Sequence, residues 1–172
     1  MMHNYTILSG KEVSSHVYKN LQDRVEYLLK NNIQPGLAAV LVGENPASKI
    51  YINMKTKKFH NLGLKTKTFK LSAECSQNEL IQVIERINND SSFHGILVQL
   101  PLPNHIDSKS IINSICPKKD VDGFHPENAG LLSIGSPRFI PCTPKGVMRI
   151  FEYYKISLRG KHVVVLGRSN IV

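Results

Sequence analysis

Short, uninterrupted apolar runs constrain this chain more than any other feature. Leu37 to Val42 contains six residues without a polar side chain, and His94 to Gln99 and Val163 to Leu166 carry shorter runs of the same kind. Such a run is too brief for a stable helix and too apolar to lie half in water, which is the pattern of a strand covered on both faces. Strands of that kind belong to parallel sheets with helices packed above and below. None of these runs approaches the roughly 20 apolar residues of a membrane-spanning helix.

Between the strands the spacing turns helical. Ser9-Gly10-Lys11-Glu12 has the form of a capping box, and Val13, Val17, Leu21, Val25 and Leu28 follow at steps of three and four, predicting a helix of about five turns. Pro35-Gly36 breaks the pattern before the first strand, and Gly43-Glu44-Asn45-Pro46 turns the chain after it. Ile50, Tyr51, Met54 and Leu62 predict the apolar stripe of a second helix ending at Gly63, followed by a strand over Leu64 to Leu71. Ser76-Gln77-Asn78-Glu79 is a second capping box, opening a helix with Leu80, Ile81, Ile84 and Ile87 on one face. Pro101 and Pro103 end the strand that closes on Gln99. Asp107 is placed to cap a short helix through Ile111, Ile112 and Ile115, and Pro117 to Gly135 reads as a polar loop. Thr143-Pro144 reads as the start of another helix, with Thr as cap. Val163 to Leu166 is the last expected strand, and Gly167-Arg168-Ser169-Asn170 turns out of it.

The chain carries 22 basic and 13 acidic residues, and most of the excess has one source. From Asn45 to Ala73 there are seven lysines and no Asp, Glu or Arg. That block is either a solvated face or an attractor for anions. The three cysteines, Cys75, Cys116 and Cys142, are far apart, which suits reduced thiols rather than a disulfide framework or a metal knuckle. No His-x-x-x-His pair is present, so no metal site is expected. The opening Met1-Met2-His3-Asn4-Tyr5-Thr6 has no basic stretch running into an apolar one, and a cytoplasmic location is the expectation.

Several residues could carry chemistry. Tyr51 and Lys55 are four apart on an expected helix and share a face, so both can reach one substrate, with lysine moving a proton and tyrosine stacking or orienting. Gln99 closes a buried strand, and in parallel α/β sheets ligands gather at the carboxyl ends of strands. Lys119-Asp120-Val121-Asp122-Gly123 places two carboxylates before a glycine but lacks the regular oxygen ligands of a calcium loop. Gly167, Arg168 and Ser169 follow a strand, where a guanidinium fork and a hydroxyl suit a phosphate. Each of these taken alone has an ordinary structural explanation.

In their order along the chain they do not. Gly43-Glu44-Asn45-Pro46-Ala47-Ser48-Lys49-Ile50-Tyr51 with Lys55, Val98-Gln99-Leu100-Pro101-Leu102-Pro103, Lys119-Asp120-Val121-Asp122-Gly123-Phe124, Pro141-Cys142-Thr143-Pro144 and Gly167-Arg168-Ser169-Asn170-Ile171-Val172 resemble the bifunctional methylenetetrahydrofolate dehydrogenase/methenyltetrahydrofolate cyclohydrolase family. The resemblance covers nearly the whole chain. It implies an α/β fold in which residues 1–135 form a three-layer, parallel-sheet, folate-binding catalytic domain. Residues 136–172 would then hold the first elements of a Rossmann-like NAD(P)-binding domain.

It further implies NADP as cofactor, tetrahydrofolate derivatives as substrates and a homodimer, with no nucleic-acid or membrane partner. Lys55 would be the catalytic lysine, Gln99 its tuning partner, Tyr51 the residue packed on the folate and Asp122 the holder of the pterin ring. Leu100 and Pro101 would line the substrate beside Gln99. Gly167, Arg168 and Ser169 would take the NADP phosphate. Family members continue for about another hundred residues, so dehydrogenase activity is not expected of these residues alone.

Two other classes fit less well. A short-chain dehydrogenase also uses Tyr-x-x-x-Lys, but its glycine-rich turn precedes that pair, and here the only such turn follows it. A nucleic-acid module would interleave aromatics with the basic block, where only Tyr51, Phe59 and Phe69 are available.

Overall fold

The strand Gly36–Val42 (β1) is buried at every position, as its unbroken apolar run requires. The computed structural model of the chain describes residues 6–169. Within them β1 is the centre of a three-stranded sheet, pairing in parallel with Lys65–Leu71 (β2) on one side and Gly95–Val98 (β3) on the other. Ala38, Val40 and Val42 face one way and meet Leu80, Ile84 and Ile87 of the helix Gln77–Asn89 (α3) and Ile111 of the helix Ser108–Ser114 (α4). Ala39 and Leu41 face the other way and meet Ile52 of the helix Pro46–Asn61 (α2). The result is the expected α/β layering, helix on sheet on helix, and each fully buried Leu or Ile contributes about 1.5–3 kcal/mol to holding it.

The glycines at strand starts set how closely the layers approach. A Cβ on Gly36 would run into the carbonyl oxygen of Ser92, and one on Gly95 would lie 2.5 Å from Cγ1 of Val121. Gly43, with φ +76°, makes the turn from β1 into α2 that a larger residue would strain.

Helix starts follow their local chemistry, with informative exceptions. Ser76 and Glu79 form the reciprocal capping box of α3, and Asp107 accepts from the backbone N–H groups of Lys109 and Ser110 at the start of α4. In the first helix, Gly10–Lys30 (α1), Ser9 accepts from the Glu12 N–H as expected. The Glu12 carboxylate does not return to the cap: it accepts from the hydroxyl of Tyr154, which itself accepts from the Ser9 N–H. This contact ties α1 to the end of the helix Cys142–Tyr153 (α6).

The structure corrects several expectations. The stretch Pro117 to Gly135 is not wholly loop, because Pro126–Ser133 forms a helix (α5) with Pro in its first turn and the His125 side chain accepting from the Glu127 N–H. Thr143 is not a cap: α6 begins one residue earlier behind Pro141 and has no side-chain cap bond. On α2, Ile50, Tyr51 and Met54 are exposed, and the buried positions are Ser48 and Ile52. Val163 to Leu166 forms no strand, and Leu166 is 96% exposed. An apolar run becomes a strand only against a partner edge, and no described segment offers one there. Asn170, Ile171 and Val172 lie outside the described residues, as do Met1 to Tyr5.

Candidate functional site

The carboxyl end of the sheet gathers the polar groups. β1 leads through Gly43 into α2, whose Asn45 cap accepts from the Ser48 N–H. Burial of Ile52 under the sheet fixes the rotation of that helix. Lys55, three residues on, therefore lies at the margin of the buried face and is half-buried, while Tyr51 stands out at 58% exposure. β3 ends at Val98, one residue short of the expected Gln99, and the Gln99 backbone N–H donates to the carbonyl of Val40. The Gln99 Nε2 donates to the carbonyl of Leu100 at 2.7 Å. Its Oε1 is buried and has no donor among the described residues. Leu100 and Pro101 follow through a cis peptide, with Leu100 packed on the core and Pro101 exposed.

Asp122 reaches the same region from the next loop, where Asp120 extends the sheet by a single parallel bridge to Ile96. Asp122 is half-buried, and loss of solvent raises its carboxyl above the usual range. The ammonium of Lys55 opposes that rise and the charge of Asp120 adds to it. Lys55 and Asp122 thus sense each other, yet they form no ion pair among the described residues, where Lys49–Glu44, Arg138–Glu127 and Arg149–Glu152 are the pairs made.

Cys142, read from the sequence as a reduced thiol within the Pro141-Cys142-Thr143-Pro144 motif and given no site role, belongs to this neighbourhood. Desolvation raises its thiol first, the charge of Asp122 adds, and Lys55 and Lys145 oppose. Beside it a groove of about 760 Å³ runs between α1 and α6, lined by His16, Tyr18, Arg24, Cys142, Lys145 and Arg149 among others. No single-residue signal marked Cys142, because a lone cysteine between two prolines carries no spacing information.

The remaining candidates are not assembled with these. Gly167 has φ +128°, and Arg168 and Ser169 are exposed and make no side-chain hydrogen bond or ion pair among the described residues. They offer donors suited to phosphate, and among the described residues none packs them into a cradle. Part of the lysine block has structural partners: Lys49 pairs with Glu44, Lys58 lies over Tyr18, Lys65 over Phe93 and Lys67 over Phe69. Among the described residues no group of three or more His, Cys, Asp or Glu side chains could hold a metal ion, and no helix is long and apolar enough to cross a membrane.

Residues 8–122 match the family described as tetrahydrofolate dehydrogenase/cyclohydrolase, catalytic domain, and residues 141–172 match its NAD(P)-binding domain. The bifunctional protein FolD of Enterococcus faecalis is 51% identical over 167 residues, covering 97% of this chain and 59% of that protein. The FolD of Acetivibrio thermocellus is 49% identical over 166 residues, covering 96% of this chain and 58% of that protein. The crystal structure of the bifunctional FolD methylenetetrahydrofolate dehydrogenase/cyclohydrolase from Campylobacter jejuni superposes with a TM-score of 0.94 at 46% identity, over 97% of this chain and 60% of that one. A Trypanosoma brucei methylenetetrahydrofolate dehydrogenase-cyclohydrolase, solved with NADP cofactor and inhibitor, gives 0.92 at 34% identity, over 96% of this chain and 57% of that one. The chain thus spans somewhat under two thirds of the length of these proteins, and within that span sequence and fold agree: it belongs to the tetrahydrofolate dehydrogenase/cyclohydrolase family.

Proposed function

We propose that these residues supply the folate site of an NADP-dependent methylenetetrahydrofolate dehydrogenase and methenyltetrahydrofolate cyclohydrolase in one-carbon metabolism. The activity would oxidise 5,10-methylenetetrahydrofolate to 5,10-methenyltetrahydrofolate and hydrolyse that to 10-formyltetrahydrofolate. Residues 1–135 form the folate-binding catalytic domain in this reading, and 136–172 belong to the NADP-binding domain. A cytoplasmic homodimer is part of the same reading.

The observation that carries it is the buried, unpaired Oε1 of Gln99 at the carboxyl end of β3, in a region where Lys55 and Asp122 share a field without touching. An acceptor left buried without a donor costs about 1–3 kcal/mol unless a ligand or a moving side chain completes it. The Lys55 ammonium is the donor this reading assigns to it. Asp122 accepts from the pterin N–H groups, and the exposed ring of Tyr51 packs on the flat folate. The methenyl carbon is electrophilic. Water adds there and loses one proton; the remaining hydroxyl gives up the other as the carbonyl forms and the bond to N5 breaks with its electron pair staying on N5, and N5 takes up a proton, so of the two water protons one ends on N5 and one is released. Lys55 moves those protons. NADP, when bound, supplies the hydride acceptor of the other step. The step that this reading assigns to Lys55, Gln99 and Asp122 is the hydration.

Calorimetric titration with a reduced-folate analogue tests the reading. Binding is expected, and Asp122→Ala should weaken it by about tenfold or more, equivalent to about 1.4 kcal/mol. Equal affinity in the two proteins would remove Asp122 from the site.

A further inference from the structure

Behind Asp122 lies a buried polar chain that the folate reading does not use. Asn128, on α5, is fully buried, and Asp120 is 1% exposed. Asn128 Nδ2 donates to Asp120 Oδ2 and to the carbonyl of Pro117, each at 2.8 Å. The same Asp120 oxygen accepts from the backbone N–H of His125 at 2.8 Å. On its other side Asn128 Oδ1 accepts from the guanidinium of Arg138 at 2.9 Å, and Arg138 pairs with Glu127 at 2.7 Å. Every polar atom of the buried amide is therefore engaged, and a buried polar chain satisfied throughout holds its members in one arrangement.

The ends of this chain matter more than its middle. Asp120 is two residues from Asp122. Arg138 is on the strap that runs from α5 to Pro141 and Cys142. That strap lies on the Asp122-Gly123 turn: a Cβ added to Gly123 would meet Cδ of Pro141 at 3.4 Å and the Phe139 carbonyl carbon at 3.6 Å. Arg138 thus fastens the approach to Cys142 onto the loop that presents Asp122. Arg138 and Asn128 lie in residues 123–140, the interval between the two family matches, while Asp120 lies within the first.

We propose that Arg138, Asn128 and Asp120 act as one clasp that fastens the Pro141-Cys142 strap to the loop that presents Asp122 and so positions Asp122. They are positioning residues, acting through Asp122 and touching no substrate themselves. The proposal rests on the folate reading only in naming what Asp122 holds.

The test uses Arg138→Gln in the 172-residue chain, since the Arg138 side chain is 31% exposed and its loss opens no large cavity. The readout is the pH midpoint of Cys142 alkylation, resolved by peptide so that Cys75 and Cys116 do not interfere. Cys142 is exposed, so loosening the clasp acts by drawing the Asp122 charge, which raises the thiol, away from it, and the midpoint should fall toward that of an ordinary cysteine. Arg138→Lys, which keeps the charge and one donor, should recover at least part of that fall. A folded Arg138→Gln protein with an unmoved midpoint, or no recovery with lysine, would overturn the clasp and leave a stability role alone. If Arg138→Gln does not fold, Glu127→Gln releases only the outer anchor, and it should give a smaller fall; no fall would be equally contrary. In parallel, reduced-folate affinity should drop roughly fivefold in Arg138→Gln, and an unchanged affinity would show that Asp122 does not depend on the clasp. If the wild-type chain binds no folate analogue, the folate reading fails while the Cys142 midpoint still decides the clasp.

Discussion

Gln99 and Leu100 are joined by a hydrogen bond that leaves the glutamine incomplete: Nε2 donates to the Leu100 carbonyl at 2.7 Å, and Oε1 stays buried without a donor among the described residues. A carbonyl can only accept, so this bond fixes which atom of the amide is left over. Proteins rarely leave such an acceptor buried unless something else fills the position during function.

Gln99→Leu should therefore separate stability from function. Losing one hydrogen bond and one unpaired acceptor nearly cancels, so urea unfolding should change by less than about 1 kcal/mol. Reduced-folate binding, measured on the same preparation, should fall. A stability loss well beyond that limit would make Gln99 a structural residue.

Lys55→Met should leave the fold intact, because Lys55 is half-buried at the margin of α2 while Ile52 anchors the helix. In a family member carrying both domains in full, the equivalent change should slow hydration of methenyltetrahydrofolate by about 10²–10⁴, the usual contribution of a positioned proton-transfer group. The decay of methenyltetrahydrofolate absorbance checks it. Comparable turnover would remove the lysine from the chemistry.

Asp122 makes stability depend on pH in a definite direction. Its carboxyl is raised in the folded chain, chiefly by desolvation, so the native state binds more protons than the unfolded one between the ordinary carboxylate value and the raised one. Stability from this group is complete below that window and lost as pH rises through it. Asp122→Asn should remove this dependence, leaving the variant more stable than wild type at neutral pH and similar to it in acid. Urea unfolding of both proteins across pH 3 to 8 checks the difference, and parallel curves would contradict it.

Gly36→Ala should be costly despite its modest size, since the added carbon meets the Ser92 backbone at the start of the central strand. Overpacking against backbone costs about 1–3 kcal/mol, and a loss in that range should appear in chemical unfolding. Gly130→Ala, on exposed α5 with open space at its Cβ, is the control and should be neutral or slightly stabilising.

The parallel sheet was legible because Leu37 to Val42 and Gly95 to Val98 are too apolar for any setting but a doubly covered strand. Ser76-Gln77-Asn78-Glu79 announced α3 because both halves of its capping box lie within one turn. The rotation of α2 was not legible: Ile50, Tyr51 and Met54 make as good an apolar stripe as Ile52, and only packing against Ala39 and Leu41 decides between them. Val163 to Leu166 shows the complementary failure, since strand propensity has no effect without a partner edge. In the candidate site, Lys55, Gln99 and Asp122 could be named because motif order marks them. Asn128 and Arg138 could not, because their importance comes from a tertiary hydrogen-bond chain that leaves no local pattern.

Mapping amide chemical shifts of the chain during titration with a reduced-folate analogue tests the placement of the folate site most directly. The perturbed residues should cluster at Tyr51, Lys55, Gln99, Leu100 and Asp122, at the carboxyl end of the sheet. Perturbation confined to the lysine-bearing edge strand Lys65 to Leu71, or none at saturating analogue, would contradict it.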